Sequence, residues 1–223
     1  MSSEFDRSLG TRSGSFPLAK VVLASGNRGK LAELGAMLKP LGLTVTSLAD
    51  FGLEGPEEPA ETFVENALIK ARHAALHTGL AAIADDSGIA VDALDGAPGV
   101  RSARYAGEHG NDGANVERVL AELAARPGAA RRASFHACVV LLRHPTDPAP
   151  LICHGRWDGV ILDAPRGTGG FGYDPVFGVP ERQMRSAAEL SSDDKNRLSH
   201  RGKAMTALIA ELAALRAVEQ PDT

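Results

Sequence analysis

The chain has 223 residues, enough for one large domain with a hydrophobic core, and its hydrophobic (43%) and charged (23%) fractions are ordinary for a soluble globular protein. The net charge of −4 argues against a general nucleic-acid-binding protein, which needs a basic face. No apolar stretch approaches the roughly 18 residues of a membrane helix, and the polar N-terminus lacks the apolar region of a secretory signal, so we expect a cytoplasmic protein without a membrane partner.

Hydrophobic periodicity predicts the order of strands and helices along the chain. The predicted elements are a strand at 20–24, a helix with Leu31, Leu34 and Leu38 on one face, a strand at 43–48, a helix from Thr62 to about His77, a strand ending at Ala84, a helix over about 112–125, strands at 134–143 and 151–162, and a helix over about 199–216. A long loop rich in Gly and charge is expected over 163–196. Early βα units followed by a hairpin imply an α/β fold, with helices packed on a mixed sheet.

The domain organisation follows from the ends of this pattern. Residues 1–16 are rich in Ser, Gly and Arg and predict a disordered leader, followed by a single domain over 17–217 and a tail over 218–223. Cys138 and Cys153 are too few for a disulfide scaffold. They fall in the two strands of the predicted hairpin and are candidates for cross-strand neighbours, and we expect reduced, buried thiols.

An acidic pair, Asp85 and Asp86, follows the apolar run that ends at Ala84, and Gly88 is expected to break the strand. Two adjacent carboxylates at the carboxyl end of a strand are costly to desolvate unless a cation binds them. Ligands of open α/β sheets also bind at that end. The pattern favours a divalent metal together with a phosphorylated substrate.

A turn between the first strand and the first helix is a candidate phosphate site. Glycine allows a sharp turn, and the N-terminus of the helix offers free N–H groups and the positive end of its dipole. The spacing is too short for a Walker A loop, and no Ser or Thr follows the lysine. The residues of this turn are Ser25, Gly26, Asn27, Arg28, Gly29 and Lys30.

A glycine-rich run, Gly167-x-Gly169-x-x-Gly172, matches the dinucleotide fingerprint in its letters. That fingerprint requires a helix directly afterwards, and Tyr173-Asp174-Pro175 follows instead, so we predict a flexible substrate loop. Phe171 and Tyr173 are rare aromatic residues in this chain and are candidates either for stacking on a base or for anchoring the loop in the core.

Three cationic or polar side chains, Lys195, His200 and Arg201, are expected at the start of the last helix. Cations at a helix N-terminus oppose the helix dipole, so helix stability does not explain them. An anionic or polar ligand would, and His200 and Arg201 can donate hydrogen bonds to purine ring oxygens.

Taken together, these segments resemble the inosine triphosphate pyrophosphatase family of house-cleaning enzymes, collinearly from about Lys20 to Leu215. The matching runs are Ser25-Gly26-Asn27-x-x-Lys30, Thr62-Phe63-x-Glu65-Asn66-Ala67, Ala84-Asp85-Asp86-Ser87-Gly88, Gly99-Val100-x-Ser102-Ala103-Arg104-Tyr105, Gly169-Gly170-Phe171-Gly172-Tyr173-Asp174-Pro175 and Ser199-His200-Arg201-Gly202. The resemblance implies an elongated, two-lobed α/β protein, with a long mixed sheet and a cleft between the lobes, that forms a homodimer. It implies Mg²⁺-dependent hydrolysis of ITP, dITP or XTP to the monophosphate and pyrophosphate.

The resemblance also implies roles for individual residues. Asp86 is the expected general base and metal ligand, and Asp85 supports it. Glu57 is the expected second metal ligand, although Glu58 can exchange roles with it because Pro59-Ala60 replaces a Thr-Gly often found in the family. The implied substrate-binding residues are Ser25, Gly26, Asn27, Arg28, Gly29, Lys30, Ser87, Phe171, Gly172, Tyr173, Asp174, Lys195, His200 and Arg201.

Two alternatives stay open at this point. One is a house-cleaning pyrophosphatase that acts on other modified nucleotides. The other is a regulatory module that binds a nucleotide without turnover, against which the acidic pair argues, because phosphate capture alone does not need two carboxylates.

Overall fold

The structure, a computed structural model, describes residues 19–25, 28–108 and 110–219, and for residues 28–30, 32, 33, 41 and 216–219 it describes the backbone alone. The predicted leader over 1–16 lies outside the described residues, and so do residues 220–223 of the predicted tail. The expected organisation as a single two-lobed domain stays a prediction. Within the described residues, no helix is both long enough and apolar enough to cross a membrane.

An open seven-stranded mixed sheet, flanked by helices, forms the centre of the fold, with the order β2-β1-β3-β4-β5-β6-β7. The strands are β1 (Lys20–Leu23), β2 (Thr44–Ser47), β3 (Ala81–Val91), β4 (Arg132–Leu142), β5 (Leu151–Ile161), β6 (Phe177–Val179) and β7 (Arg185–Ser186). Strand β1 pairs in parallel with β2 and β3. The pairs from β3 onward are antiparallel. The predicted mixed α/β sheet is therefore confirmed.

The helices cover both faces of this sheet. They are α1 (Arg28–Leu38), α2 (Phe63–Thr78), α3 (Asp112–Ala124), α4 (Ser192–Leu198) and α5 (His200–Glu219). Apolar residues of α1 and α5 share one buried cluster with β1, β3 and β4. The small side chains of Ala67, Ala71 and Ala74 bring α2 onto the opposite face. A third cluster, which includes residues of α3, fills the far end of the sheet.

Helix α2 begins where the capping box predicts. The hydroxyl of Thr62 accepts a hydrogen bond from the backbone N–H of Glu65 at 3.3 Å, which satisfies one of the free donors of the first turn. The helix ends at Gly79, which has the left-handed conformation that favours glycine. Both ends of helix α2 therefore follow from local signals.

Strand β3 does not end at Ala84, and the prediction that Gly88 breaks it is wrong. The strand continues to Val91 because β4 provides a partner residue along this length, including Cys138 opposite Asp86. Gly88 instead allows the backbone of Gly99 to pack closely against the strand, because a Cβ at position 88 would lie only 2.3 Å from the carbonyl oxygen of Gly99. The acidic pair thus lies in the middle of a strand.

The predicted loop over 163–196 also contains regular structure, namely β6, β7 and α4. Strand β6 is only three residues long and extends the sheet beside the end of β5, so it has no periodicity to detect in the sequence. Helix α4 is capped at its N-terminus by Ser191, whose hydroxyl accepts the N–H of Asp194. Lys195 therefore belongs to α4 and does not open the last helix.

The two cysteines are free and buried, as expected, but they are not cross-strand neighbours. Cys138 is opposite His154 in the register, and Cys153 is opposite Val139. Because side chains alternate between the faces of a sheet, this offset places the thiols on opposite faces. Burial, together with Asp85 and Asp86, raises the pKa of Cys138 to about 12.

Candidate active site

Asp86 lies on the face of β3 that α2 covers, and its side chain is nearly buried, with 6% of the residue exposed. Its Oδ1 accepts a hydrogen bond from the Nζ of Lys70, on α2, at 2.7 Å. The same ammonium lies 3.3 Å from Oε2 of Glu58, in the loop before α2. One cation therefore holds two carboxylates from separate segments together.

The charge of Lys70 is maintained by these neighbours. Burial alone would lower the pKa of Lys70, but the attraction of Asp86, Glu58 and Asp85 outweighs burial and raises its pKa above the usual value. Lys70 is therefore an ammonium at neutral pH, and the site pairs one positive group with two negative ones at its centre.

The donor set of this cluster fits a hard divalent cation. Mg²⁺ prefers carboxylate oxygens and is often held by one or two carboxylates, with water and substrate phosphates completing its coordination. Among the described residues there is no group of three or more His, Cys, Asp or Glu side chains arranged to hold a metal, which excludes an all-protein cage of that kind there. The neighbour that the structure brings to Lys70 is Glu58, while Glu57 is exposed, and its predicted ligand role stays a prediction.

Asp85 points to the opposite face of the strand, where its partner is Arg201 of α5. The Nε of Arg201 lies 3.4 Å from Oδ2 of Asp85, and its Nη2 donates to the hydroxyl of Ser87 at 3.1 Å. Asp85 and Arg201 are 1% and 3% exposed. Asp85 therefore holds a cation of the neighbouring pocket, and its expected role in supporting Asp86 stays a prediction.

That neighbouring pocket has an aromatic wall formed by Phe171. The Nζ of Lys195 lies 4.7 Å from the centre of the Phe171 ring, and the guanidinium of Arg201 lies 5.3 Å from it. The ring of His200 stacks on Phe135, with their centres 4.6 Å apart. A cavity of about 100 Å³ lies among these residues. An aromatic ring flanked by cations and a buried imidazole is suited to a flat, polar ligand such as a base.

The loop that carries Phe171 is held by two carboxylates. Oδ2 of Asp174 accepts the backbone N–H of Phe171 and the ammonium of Lys195, each at 2.8 Å. Oδ2 of Asp112, at the start of α3, accepts the N–H of Gly172 at 2.7 Å. Gly170 has a φ of +73°, and a Cβ there would lie 2.1 Å from Asp174 Oδ2, so this turn requires glycine.

Tyr173 takes the second of its two predicted alternatives and anchors the loop in the core. It is 4% exposed, belongs to the buried cluster at the far end of the sheet, and donates its hydroxyl proton to the carbonyl oxygen of Ser102 at 2.8 Å. Burial raises the pKa of Tyr173, so the hydroxyl stays protonated. Its ring forms part of the wall of the pocket.

Asp86 of the metal-type cluster and Ser87, which lines the base-type pocket, both lie in the part of β3 beyond its pairing with β1. Strand β1 pairs with β3 only as far as Leu23 and Ile83, while β3 continues to Val91. Beyond that point the edge has no β1 partner, and its side chains alternate between the two faces. Asp86 and Ser87 are therefore adjacent in sequence, with side chains on opposite faces of the strand.

The predicted phosphate turn directly follows β1 in the chain. Ser25 is described, whereas Gly26 and Asn27 lie outside the described residues. Arg28, Gly29 and Lys30 form the first turn of α1, described as backbone. A helix N-terminus is therefore present where the sequence predicts it, and the ligand roles of this turn stay predictions.

The sequence interpretation missed Lys70, Asp112 and the contact made by Glu58. For Lys70 a signal was present: it shares the buried face of α2 with Ala67, Ala71 and Ala74, where a charged side chain is out of place without a partner. Asp112 has no comparable signal, because an acidic residue in the first turn of a helix is ordinary.

Comparison with known proteins adds an independent observation. Residues 21–211 match the model of the Ham1 family. The chain is 53% identical over 195 residues to a dITP/XTP pyrophosphatase of Shigella flexneri, covering 87% of this chain and 98% of the relative. The solved structure of a HAM1 protein from Coxiella burnetii has a TM-score of 0.82 at 49% identity, over 87% of this chain and 98% of that one. The Ham1 protein of Staphylococcus aureus has a TM-score of 0.76 at 37% identity, with the same coverage.

Proposed function

Because this chain belongs to the Ham1 family, we propose that it hydrolyses non-standard purine nucleoside triphosphates, namely ITP, dITP and XTP, to the monophosphate and pyrophosphate with Mg²⁺. The observation that carries the proposal is that β3 contributes neighbouring residues to both groups, Asp86 to the cluster and Ser87 to the pocket. The Asp86–Lys70–Glu58 cluster fits a metal and phosphates, and the Phe171 pocket fits a base.

The chemistry at the phosphates is assigned to the cluster. Asp86, with Glu58 or Glu57, would hold the Mg²⁺ ion, which would supply neutralisation of phosphate charge and a lowered pKa of bound water. The carboxylate of Asp86 orients the attacking water and accepts its proton. Water adds to the α-phosphorus, the bond from this phosphorus to the bridging oxygen breaks, and pyrophosphate leaves.

Lys70 and the turn after β1 complete the phosphate site. The ammonium of Lys70 pairs with the carboxylate of Asp86 and is a donor for a phosphate oxygen of the substrate. Lys30 and the N–H groups at the start of α1 bind the outer phosphates, as the glycine turn predicts.

Base selection is assigned to Phe171, His200 and Arg201. Phe171 stacks on the purine, and His200 and Arg201 donate hydrogen bonds to the oxygen at position 6. The amino group of adenine would leave these buried donors without acceptors, at a cost of about 1–3 kcal/mol per group. Asp85 supports this selection by holding the guanidinium of Arg201 in place.

The homodimer and the cytoplasmic location expected from the sequence are also part of this proposal. Light scattering on a sizing column measures the mass in solution, and a mass near that of one chain, 23.3 kDa, would contradict the dimer.

The test of the proposed function is pyrophosphate release from ITP by the full-length chain. We expect release that requires Mg²⁺, stops with a chelator and is lost in Asp86→Asn. Binding of ITP without release would favour the regulatory-module alternative. Release from modified pyrimidine triphosphates, but not from ITP, would favour a pyrophosphatase with another substrate.

A further inference from the structure

Asn66, in α2, forms two hydrogen bonds with the loop that carries Glu58, the second carboxylate beside Lys70. Its Oδ1 accepts the backbone N–H of Ala60 at 3.0 Å, and its Nδ2 donates to the carbonyl oxygen of the same residue at 3.1 Å. Asn66 is fully buried, with 0% exposed. Both polar atoms of this side chain are thus committed to one residue of the loop, two positions after Glu58.

Arg104 holds the same loop from a distant part of the chain. It ends the 3-10 turn Gly99–Arg104, and its Nη2 donates to the backbone carbonyl oxygen of Glu58 at 3.1 Å, across 46 positions of sequence. The segment of Arg104 is itself held by buried Asn115, whose Oδ1 accepts the N–H of Ala106 at 2.7 Å. The loop is therefore fastened at Glu58 and at Ala60.

Such fastening matters because Glu58 lies outside the regular elements. The segment between the 3-10 turn Leu48–Phe51 and α2 is not part of the sheet ladder, so side chains must supply its anchors. A carboxylate on an unfastened loop would lose conformational entropy each time it bound a metal together with Asp86. Anchors that order the loop beforehand remove that cost.

We propose that Asn66 and Arg104 are positioning residues that hold the carboxylate of Glu58 beside Asp86 and thereby set the affinity of the site for its divalent cation. This rests on the metal site of the proposed function. Asn66 belongs to the run Thr62-Phe63-x-Glu65-Asn66-Ala67, and Arg104 belongs to the run Gly99-Val100-x-Ser102-Ala103-Arg104-Tyr105. The proposal gives both residues the same role, because each forms hydrogen bonds with the backbone of the loop that carries Glu58.

The test measures Mn²⁺ binding by the full-length chain without nucleotide, from the loss of the spin-resonance signal of free Mn²⁺. For Asn66→Ala and Arg104→Ala we expect a Kd raised about 10-fold, the usual scale for groups that orient metal ligands. The Mg²⁺ concentration that gives half-maximal pyrophosphate release rises in parallel, and excess Mg²⁺ restores kcat. Arg104→Lys, which keeps a donor, restores part of the affinity.

The matched control is Arg131→Ala. Arg131 also donates to backbone carbonyl oxygens, those of Ile161 and Leu162, but at the far end of the sheet. Its loss lowers stability and leaves the Kd for Mn²⁺ unchanged.

Three results would overturn the proposal. They are an unchanged Kd in Arg104→Ala, an equal rise in Arg131→Ala, and the absence of Mn²⁺ binding by the parent chain. If Asn66→Ala does not fold, Arg104→Ala, at a half-exposed position, carries the test alone. Failure of the proposed function is a separate result. In that case the parent chain would release no pyrophosphate, but the Kd for Mn²⁺ would still rise in Asn66→Ala and Arg104→Ala and stay unchanged in Arg131→Ala.

Discussion

The ammonium of Lys70 lies 2.7 Å from the Oδ1 of Asp86, joining α2 to the middle of β3. Both side chains are nearly buried, at 9% and 8% exposed. Removing one partner of such a pair leaves an uncompensated charge in the interior, which is more costly than the pair itself is stabilising. The catalytic and the structural effects of this pair must therefore be measured separately.

Replacement of Lys70 by methionine tests this relationship. We expect turnover of ITP to fall about 10²-fold, the scale of a lost electrostatic donor. We expect the free energy of unfolding to fall by about 3 kcal/mol. Steady-state kinetics and urea unfolding measure the two effects. Lys39→Met, at an exposed position, is the control and should change neither. Normal turnover in Lys70→Met would remove Lys70 from the phosphate site.

The two members of the acidic pair should respond differently to the same substitution. Asp86→Asn is expected to lower kcat by about 10²-fold or more, as for loss of a general base. Asp85→Asn weakens the hold on Arg201 and should mainly raise KM for ITP. Circular dichroism checks that both variants fold. Near-normal turnover in Asp86→Asn, or equal losses of kcat in both variants, would contradict the division of roles.

Phe171→Ala tests stacking on the base. Loss of a stacking surface worth about 1–3 kcal/mol predicts a KM for ITP raised roughly 5- to 150-fold, while kcat changes little. Phe171→Tyr keeps an aromatic face and should retain affinity. Inorganic tripolyphosphate, which has no base, is the control substrate, and its hydrolysis should not depend on Phe171. A KM for ITP that Phe171→Ala leaves unchanged would place the base elsewhere.

Discrimination against ATP tests the role of His200 and Arg201 as donors. We expect kcat/KM for ITP to exceed that for ATP by at least about 10-fold, because adenine lacks the position-6 oxygen. The comparison uses both substrates at the same free Mg²⁺ concentration. Equal efficiency with ITP and ATP would show that these donors do not select the base.

The hydrogen bonds of Asp147 predict how the stability of the fold depends on pH. Its carboxylate accepts hydrogen bonds from Arg143, through Nε at 2.8 Å and through the backbone N–H at 2.9 Å, and these bonds hold the turn between β4 and β5. They also lower the pKa of Asp147 in the folded state. Because the pKa of Asp147 is lower in the folded chain than the value of about 4 in the unfolded chain, the ionised carboxylate stabilises the fold above about pH 4. This stabilisation is lost as the pH falls below about 4 toward the pKa of the folded state. Asp147→Asn should lower stability by about 2 kcal/mol at pH 7.

The pH dependence distinguishes this effect from general damage. Between about pH 5 and pH 2 the parent chain should lose more stability than Asp147→Asn, because the variant has no carboxyl to protonate there. Urea unfolding at a series of pH values measures this difference. Parallel pH profiles for the two proteins would contradict the contribution of Asp147.

Local patterns in the chain were sufficient to predict most of the helices and strands. The capping residues Thr62 and Glu65 marked the start of α2, and the leucines of α1 marked its buried face. These signals act over a few neighbouring positions, so they can be detected in a single segment. The order of the motifs predicted the family, which the match over residues 21–211 confirms.

The partners of the acidic pair depend on contacts that no local pattern contains. Register with β4 extends β3 through Asp86 and sends Asp85 to the other face. Lys70 reaches Asp86 across 16 positions, and Arg201 reaches Asp85 across 116. The residue types of the site follow from the sequence, whereas the cation that each carboxylate meets follows from strand alternation and helix packing, because both depend on segments far apart in the chain.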